Sequence, residues 1–230
     1  MRVYYFTPGQ FAVSNIAFRR IKVARFADLN DPFELLGADL GDPKYRQAFR
    51  NTKETINKDR GLICLTRGWS NPVVWGHYAD KHRGIALGLD IQNDMLNPVH
   101  YRRTPFKITI DLSGPKPRLE RSVVDKMLRT KFADWKYEDE LRVFVSLDHN
   151  TKEEGHYFVT FDHNVMLREV ILGARCELPI DRLRQLVTGF QPAVSVTKAR
   201  IAFRSFRVVI DQARARADRL ATLPGAEPKS

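Results

Sequence analysis

The chain has 230 residues, enough to bury a substantial core without disulfide or metal staples, as one large domain or one with an added subdomain. Its 43% hydrophobic and 28% charged residues exclude a disordered chain, and no run reaches the roughly 18 apolar residues of a membrane span. Lys and Arg number 38 against 27 Asp and Glu, and the net charge of +11 fits a polyanion partner (nucleic acid, an anionic nucleotide or a membrane surface) as readily as plain surface solubility.

Residues 3–7 are β-branched and aromatic and stop at Pro8-Gly9, which predicts a short strand. A short helix follows, over 10–17 or from a cap at Ser14-Asn15. Residues 21–26 alternate apolar and polar, the pattern of a strand buried on one face. Asp28-Leu29-Asn30-Asp31-Pro32-Phe33-Glu34 is turn chemistry, because Asn and Asp bond their own backbone and Pro fixes φ. Charge spacing predicts a helix over 42–57, and the apolar run 61–66 predicts a buried strand. The next helix starts near Pro72, a favoured first-turn residue, and ends at Arg83-Gly84. Strands are expected over 85–90, 98–102 and 106–111. A helix over 119–132 would carry Val123, Val124, Met127 and Leu128 on one side. Strands at 141–147, 157–161 and 169–172 precede a short helix at 179–188, strands at 194–196 and 206–210, and a last helix at 211–220.

Helices and strands mix without a regular βαβ period. This predicts an α+β fold, a single domain over 1–219 with a mixed, largely antiparallel or split sheet flanked by helices, and a flexible tail over 220–230. Cys64 and Cys176 have no metal-type spacing, and the N-terminus lacks the apolar core of a signal peptide, so a cytoplasmic location without a membrane is expected.

The densest chemistry lies in Trp69-Ser70-Asn71-Pro72-Val73-Val74-Trp75-Gly76-His77-Tyr78-Ala79-Asp80-Lys81-His82-Arg83-Gly84. On a continuous helix Trp75, Tyr78 and His82 share one face, a bed for a base or nicotinamide ring, with His77 and Asp80 on a neighbouring face. The plainer alternative makes Trp75 and Tyr78 core residues and His82 the end of the helix. In Asp134-Trp135-Lys136-Tyr137-Glu138-Asp139-Glu140-Leu141-Arg142, a carboxylate cluster runs into a buried strand. A period of two puts Glu138, Glu140 and Arg142 on one face, either as a catalytic carboxylate held ionised by its arginine or as a structural ion pair. In the 25–34 segment, Asn30 and Asp31 are the suspects, against a turn that only shapes the backbone. His77 and His82 are five apart rather than the four of a zinc-protease helix, and no metal site is expected.

Three phrases, at 27–34, 75–84 and 135–142, resemble in order the bacterial family described as domain of unknown function 2971, which implies a shared fold and no defined reaction. There is a weaker resemblance to ADP-ribosyltransferases acting on nucleic acid. It implies NAD as cofactor, Tyr4 or Tyr5 as the ring-binding residue of the first strand, Tyr78 stacking on nicotinamide and Glu140 as the strand carboxylate. The usual His or Arg of that strand is missing unless Arg2 takes its place.

The leading expectation is therefore an enzyme acting on a nucleotide or nucleic acid, ADP-ribosyltransferase-like and in a defence or toxin role. Its catalytic residues would be Glu140, Glu138 and Tyr78, with Trp75 beside the nicotinamide and Arg67 and Arg142 on phosphates. The rival is a non-catalytic nucleotide- or nucleic-acid-binding module whose basic C-terminal region, with Lys198, Arg200, Arg204 and Arg207, contacts nucleic acid or a partner protein, while the arginines from Arg214 onward are read as a solvated helix face. A metal-dependent nuclease is a third reading. Ligand-binding residues are expected among Tyr5, Asn30, Asp31, Arg67, Trp69, Ser70, Trp75, His77, His82 and Arg142.

Overall fold

The computed structural model describes residues 1–111, 117–147 and 151–214. The early strands are β1 (Arg2–Thr7), β2 (Arg20–Val23), β3 (Arg60–Thr66), β4 (Ile85–Ile91), β5 (Asn97–Pro98), β6 (His100–Arg102) and β7 (Ile110–Asp111). They are followed by β8 (Arg118–Leu119), β9 (Thr130–Phe132), β10 (Glu140–Ser146) and β11 (Thr151–Glu153). The last are β12 (His156–Thr160), β13 (Val165–Leu172), β14 (Ser195–Ile201) and β15 (Val208–Ile210). The α-helices are α1 (Gly9–Ala17), α2 (Pro43–Asp59), α3 (Pro72–Tyr78), α4 (Arg121–Met127) and α5 (Ile180–Leu186).

The elements form an α+β fold with mixed, largely antiparallel sheets flanked by helices, as the sequence predicts. They gather into two compact units. The first takes Met1–Arg20, Arg67–Ile91 and the described part of Phe161–Ser230, and the second takes Ile21–Thr66 and Gln92–Thr160. Among the described residues no helix is long and apolar enough to cross a membrane.

In the first unit the strand order is β15-β14-β13-β4-β1. β4 pairs antiparallel with β1 and β13, and β13 reaches parallel β14 through α5. Val3, Leu87, Leu89, Val170 and Ile171 are buried on these strands, and Ile16, Trp75, Ile180 and Leu183 close the core from the helices. The N-terminus of α3 follows its sequence signals, with the Asn71 side chain accepting from the Val73 N–H at 2.9 Å and Pro72 in the first turn. Its end does not. The helix stops at Tyr78, and Asp80, Lys81 and His82 all take the left-handed conformation (φ 43°, 52° and 71°), which costs about 1–3 kcal/mol per non-glycine residue.

Backbone packing holds this turn. The Gly84 N–H donates to Ala79 O at 2.7 Å, the Gly173 N–H to Gly84 O at 2.9 Å and the Arg175 N–H to His82 O at 3.0 Å. These approaches leave no room for a side chain: a β-carbon on Gly84 would lie 2.3 Å from Thr7 O, and one on Gly173 would lie 2.2 Å from His82 O.

In the second unit β10 pairs antiparallel with β3 and β5, and β11-β12-β2 form a separate sheet. Leu62, Leu119, Val123, Met127 and Leu128 pack with Ala48 of α2 and with Phe26 and Phe106. Each fully buried Leu or Phe side chain adds about 1.5–3 kcal/mol over an exposed one. α2 starts as expected, with the Asp42 carboxylate accepting from the Lys44 N–H at 2.7 Å.

Three expectations in this unit are corrected. The helix over 119–132 is only the seven residues of α4: Leu119 belongs to β8 and residues 130–132 to β9. The Leu128 carbonyl, free at the helix end, accepts from Arg142 Nη1 at 2.8 Å, and Thr130 Oγ1 donates back to Lys126 O at 2.7 Å. One tertiary partner outside the local sequence, Arg142, thus takes over the helix end. The strand over 98–102 is divided because its partners change at Val99. The Val99 N–H donates to Glu140 O at 3.1 Å, whereas the His100 N–H donates to Arg129 O at 2.7 Å. Of residues 106–111 only Ile110–Asp111 form a strand, and Phe106 makes an isolated bridge to Ala38.

These contacts separate three glycines of otherwise similar appearance. Gly173→Ala and Gly84→Ala should each lower the unfolding free energy by about 1–3 kcal/mol, the cost of forced overpacking. Gly76→Ala, where a β-carbon meets nothing within 4 Å inside α3, should leave stability unchanged or raise it by about 0.5–1 kcal/mol. Urea unfolding midpoints of the three variants check the ordering.

Candidate functional site

The second unit is built around a buried charge. Arg142 lies in the middle of β10 at 0% exposure, and a guanidinium there must be hydrogen-bonded and paired. Its Nε and Nη2 donate to the two oxygens of Glu140 at 2.8 and 3.2 Å, and its Nη1 donates to Glu34 Oε1 at 2.6 Å and to Leu128 O. Lys131, on β9, donates to Glu138 Oε2 at 2.6 Å and to Glu140 Oε2 at 3.3 Å. The Glu140 N–H donates to Tyr101 Oη at 2.8 Å. Glu34, Lys131, Glu138 and Glu140 are all buried.

The expected grouping of Glu138, Glu140 and Arg142 is present, although Glu138 ends a 3-10 turn before Asp139 (φ 44°) rather than lying on the strand. Burial acts to raise the Glu140 carboxyl. Arg142, and then Lys131, outweigh it and hold the group below the usual carboxylate range. Burial, with Glu140 nearby, pushes Tyr101 up to about 12. Burial and the same carboxylate push the Cys64 thiol well above its usual range, so it is no thiolate nucleophile near neutral pH. Glu140 is therefore ionised, but at 4% exposure and with both oxygens engaged by Arg142 and Lys131 it has the geometry of the structural ion pair.

Asp31 is buried, and its Oδ1 accepts from the Phe33 N–H at 2.9 Å, so this carboxylate shapes the turn that presents Phe33. Asp31 Oδ2 has no hydrogen-bond partner, and Asn30 is exposed beside it. Phe33, 67% exposed, lines a cavity of about 270 Å³ together with Arg102, Arg103, Thr130, Lys131 and the exposed Phe132. Sequence reading passed over Arg102, Arg103, Lys131 and Phe132. The adjacent Arg102-Arg103 before Thr104-Pro105 was an available signal, but Phe132 was hidden in an expected helix. Lys131 Nζ also sits 4.7 Å from the Trp135 ring centroid, which places a fluorophore against the buried network.

The remaining expected residues lie in the first unit. Trp75 is fully buried, edge-on to Phe6 at 5.0 Å and stacked on His82 at 6.2 Å, with its indole N–H donating to Trp69 O at 2.5 Å. It is a core residue and offers no free face to a ligand ring. His82 reaches it through the left-handed turn rather than by helical spacing. Burial, then Arg175, lowers the His82 pKa, and its Nδ1 has no hydrogen-bond partner. Tyr78 is half-buried, with exposed His77 edge-on at 6.1 Å. Tyr5 is half-buried on β1 opposite Leu87, and Arg67 is exposed. Arg2, the substitute in the ADP-ribosyltransferase resemblance, is engaged by Asp90 at 2.7 Å and by Glu169. Ser70 accepts from Arg207 Nη2 at 3.0 Å and, through its carbonyl, from the Val208 N–H at 2.9 Å. Among the described residues no three His, Cys, Asp or Glu side chains converge as metal ligands.

Removing one partner of a buried ion network leaves the others uncompensated, so Glu140→Gln should lower stability at neutral pH by about 3–5 kcal/mol. Because the folded Glu140 pKa is depressed, its contribution is complete above the unfolded value near 4.3 and is lost as pH falls through the lower folded value. The stability gap between wild type and Glu140→Gln should therefore be constant from about pH 7 to about pH 5 and shrink in stronger acid. Urea unfolding across that range checks both sign and size.

Compared with protein-family models, with curated proteins and with solved structures, the chain matches none of them.

Proposed function

We propose that this protein is a nucleotide-binding module whose ligand sits in the cavity of the second unit, its base against the rings of Phe33 and Phe132 and its phosphate on Arg102 and Arg103. One observation supports this reading above the others: two exposed phenyl rings and two exposed guanidiniums line the same cavity. Flat apolar surface with a few fixed charges is the chemistry of a nucleotide site, and arginine is the residue suited to phosphate. At about 270 Å³ the cavity lies just below the usual range of ligand pockets, about 300 to 1,000 Å³, and so suits a mononucleotide better than a dinucleotide such as NAD. The buried network beneath these elements gives them fixed positions, which reduces the ordering cost of binding. The three phrases resembling domain of unknown function 2971 include both the Asp31-Pro32-Phe33 turn and the Glu140-Leu141-Arg142 strand, so kinship with that family is part of the proposal.

ADP-ribosyl transfer, which rests on resemblance to those transferases, asks more of the same residues. Glu140 would have to leave Arg142 and Lys131 to reach a ribose hydroxyl, and Trp75, expected beside the nicotinamide that Tyr78 stacks on, would have to leave the core. Binding asks for neither movement.

Calorimetric titration with adenosine and uridine monophosphates tests the reading. The double variant Arg102→Ala/Arg103→Ala should bind about 10- to 100-fold more weakly, the loss expected for one charged hydrogen bond. Wild-type protein should release no nicotinamide from NAD. Equal affinity in the double variant, or steady nicotinamide release by the wild type, would overturn the binding-module reading.

A further inference from the structure

The hairpin formed by β14 and β15 carries a surface that the cavity does not use. Its strands pair antiparallel, Ala199 with Ile210, Arg200 with Val209 and Ile201 with Val208. The connection Ala202-Phe203-Arg204-Ser205-Phe206-Arg207 is closed by the Ala202 N–H donating to Arg207 O at 2.9 Å. At its base, Ser70 holds both Arg207 and the Val208 backbone. On this anchored loop Phe203 is 90% exposed and Phe206 98% exposed. Two phenyl rings left almost wholly in water forfeit their burial, and such clustered exposure marks an interaction surface.

The charge around them is of one sign. Residues 195–210 contain Lys198, Arg200, Arg204 and Arg207 and no Asp or Glu. Each ring is followed by an arginine, and the Arg200 guanidinium lies 4.6 Å from the Phe203 ring centroid. An open groove of about 370 Å³ runs beside them, lined by Arg200, Phe203, Arg204, Val209 and Ile210. Rings for stacking, interleaved cations for a backbone and a concavity for a base are the elements of a single-strand binding surface. An anionic membrane would match the charge, but the groove gives unstacked bases a seat that lipid does not require.

We propose that the β14–β15 hairpin binds single-stranded nucleic acid, bases stacking on Phe203 and Phe206 and phosphates lying on Arg200 and Arg204. This surface is independent of the mononucleotide cavity. Duplex DNA, whose bases are already stacked, is a poorer partner.

The test is fluorescence anisotropy of labelled twelve-residue oligothymidine and oligouridine, a duplex of the same length and, by co-sedimentation, phosphatidylserine-containing vesicles. Phe203→Ala/Phe206→Ala, which changes only exposed side chains, should keep the wild-type unfolding midpoint and mononucleotide affinity while losing about tenfold or more in single-strand affinity. Arg204→Ala should weaken binding to all single strands alike and reduce the slope of log affinity against log salt by about 0.7. Single-strand binding that the double phenylalanine variant leaves unchanged would overturn the proposal. So would equal affinity for the duplex, or hairpin-dependent vesicle binding with no single-strand binding.

Discussion

A guanidinium with no access to water dictates much of the second unit. Arg142 must find acceptors for its donors, and it finds them on segments far apart in sequence: Glu34 from the turn, Leu128 from the end of α4 and Glu140 from its own strand. Lys131 extends the same pairing to Glu138. An isolated buried charge would cost far more than the stability of a domain, so these partners are conditions of folding. The same pairing fixes neighbouring elements whose exposed residues line the cavity. The turn that supplies Glu34 presents Phe33, and β9, which supplies Lys131, ends in Phe132. Electrostatic necessity inside and cavity-facing surface outside are carried by the same short segments.

Legibility in the sequence followed the range of the forces involved. Short-range signals were readable: Pro72 starts a helix where first-turn chemistry places it, charge spacing marks α2, and the apolar runs of β3 and β4 are strands. The pairing of Glu140 with Arg142 was also readable, because a period of two places them on one face. Long-range partners were not. Apolar spacing over 119–132 suggested one helix because Arg142, which takes the Leu128 carbonyl, is remote in sequence. Helical spacing brought Trp75 and His82 together for the wrong geometric reason. The rings do stack, but through three left-handed residues after the helix has ended. Of the cavity residues, Arg102-Arg103 before Thr104-Pro105 carried a signal, whereas Phe132 carried little, since exposure depends on where the chain turns and not on residue type.

The proposed function rests on what is buried and what is left in water. The residues richest in apparent chemistry, Trp75, Glu138, Glu140 and Arg142, are packed or ion-paired and serve the fold. Phenylalanines and arginines line two exposed places: Phe33 with Arg102 and Arg103 in one unit, and Phe203 with Arg200 and Arg204, beside Phe206, in the other. Much of the net charge of +11 is solvating surface, but in these two places it is paired with exposed rings, a combination that favours flat anionic ligands. The proposed binding module draws on that distribution and needs no movement of Glu140 or Trp75.

The most direct test of this account is the crystal structure of the protein with adenosine monophosphate. The account predicts the base against Phe33 or Phe132, the phosphate within hydrogen-bonding distance of Arg102 or Arg103, and Glu140 still bonded to Arg142 and Lys131. A ribose hydroxyl on a Glu140 released from those cations, or a nucleotide bound only outside this cavity, would contradict it.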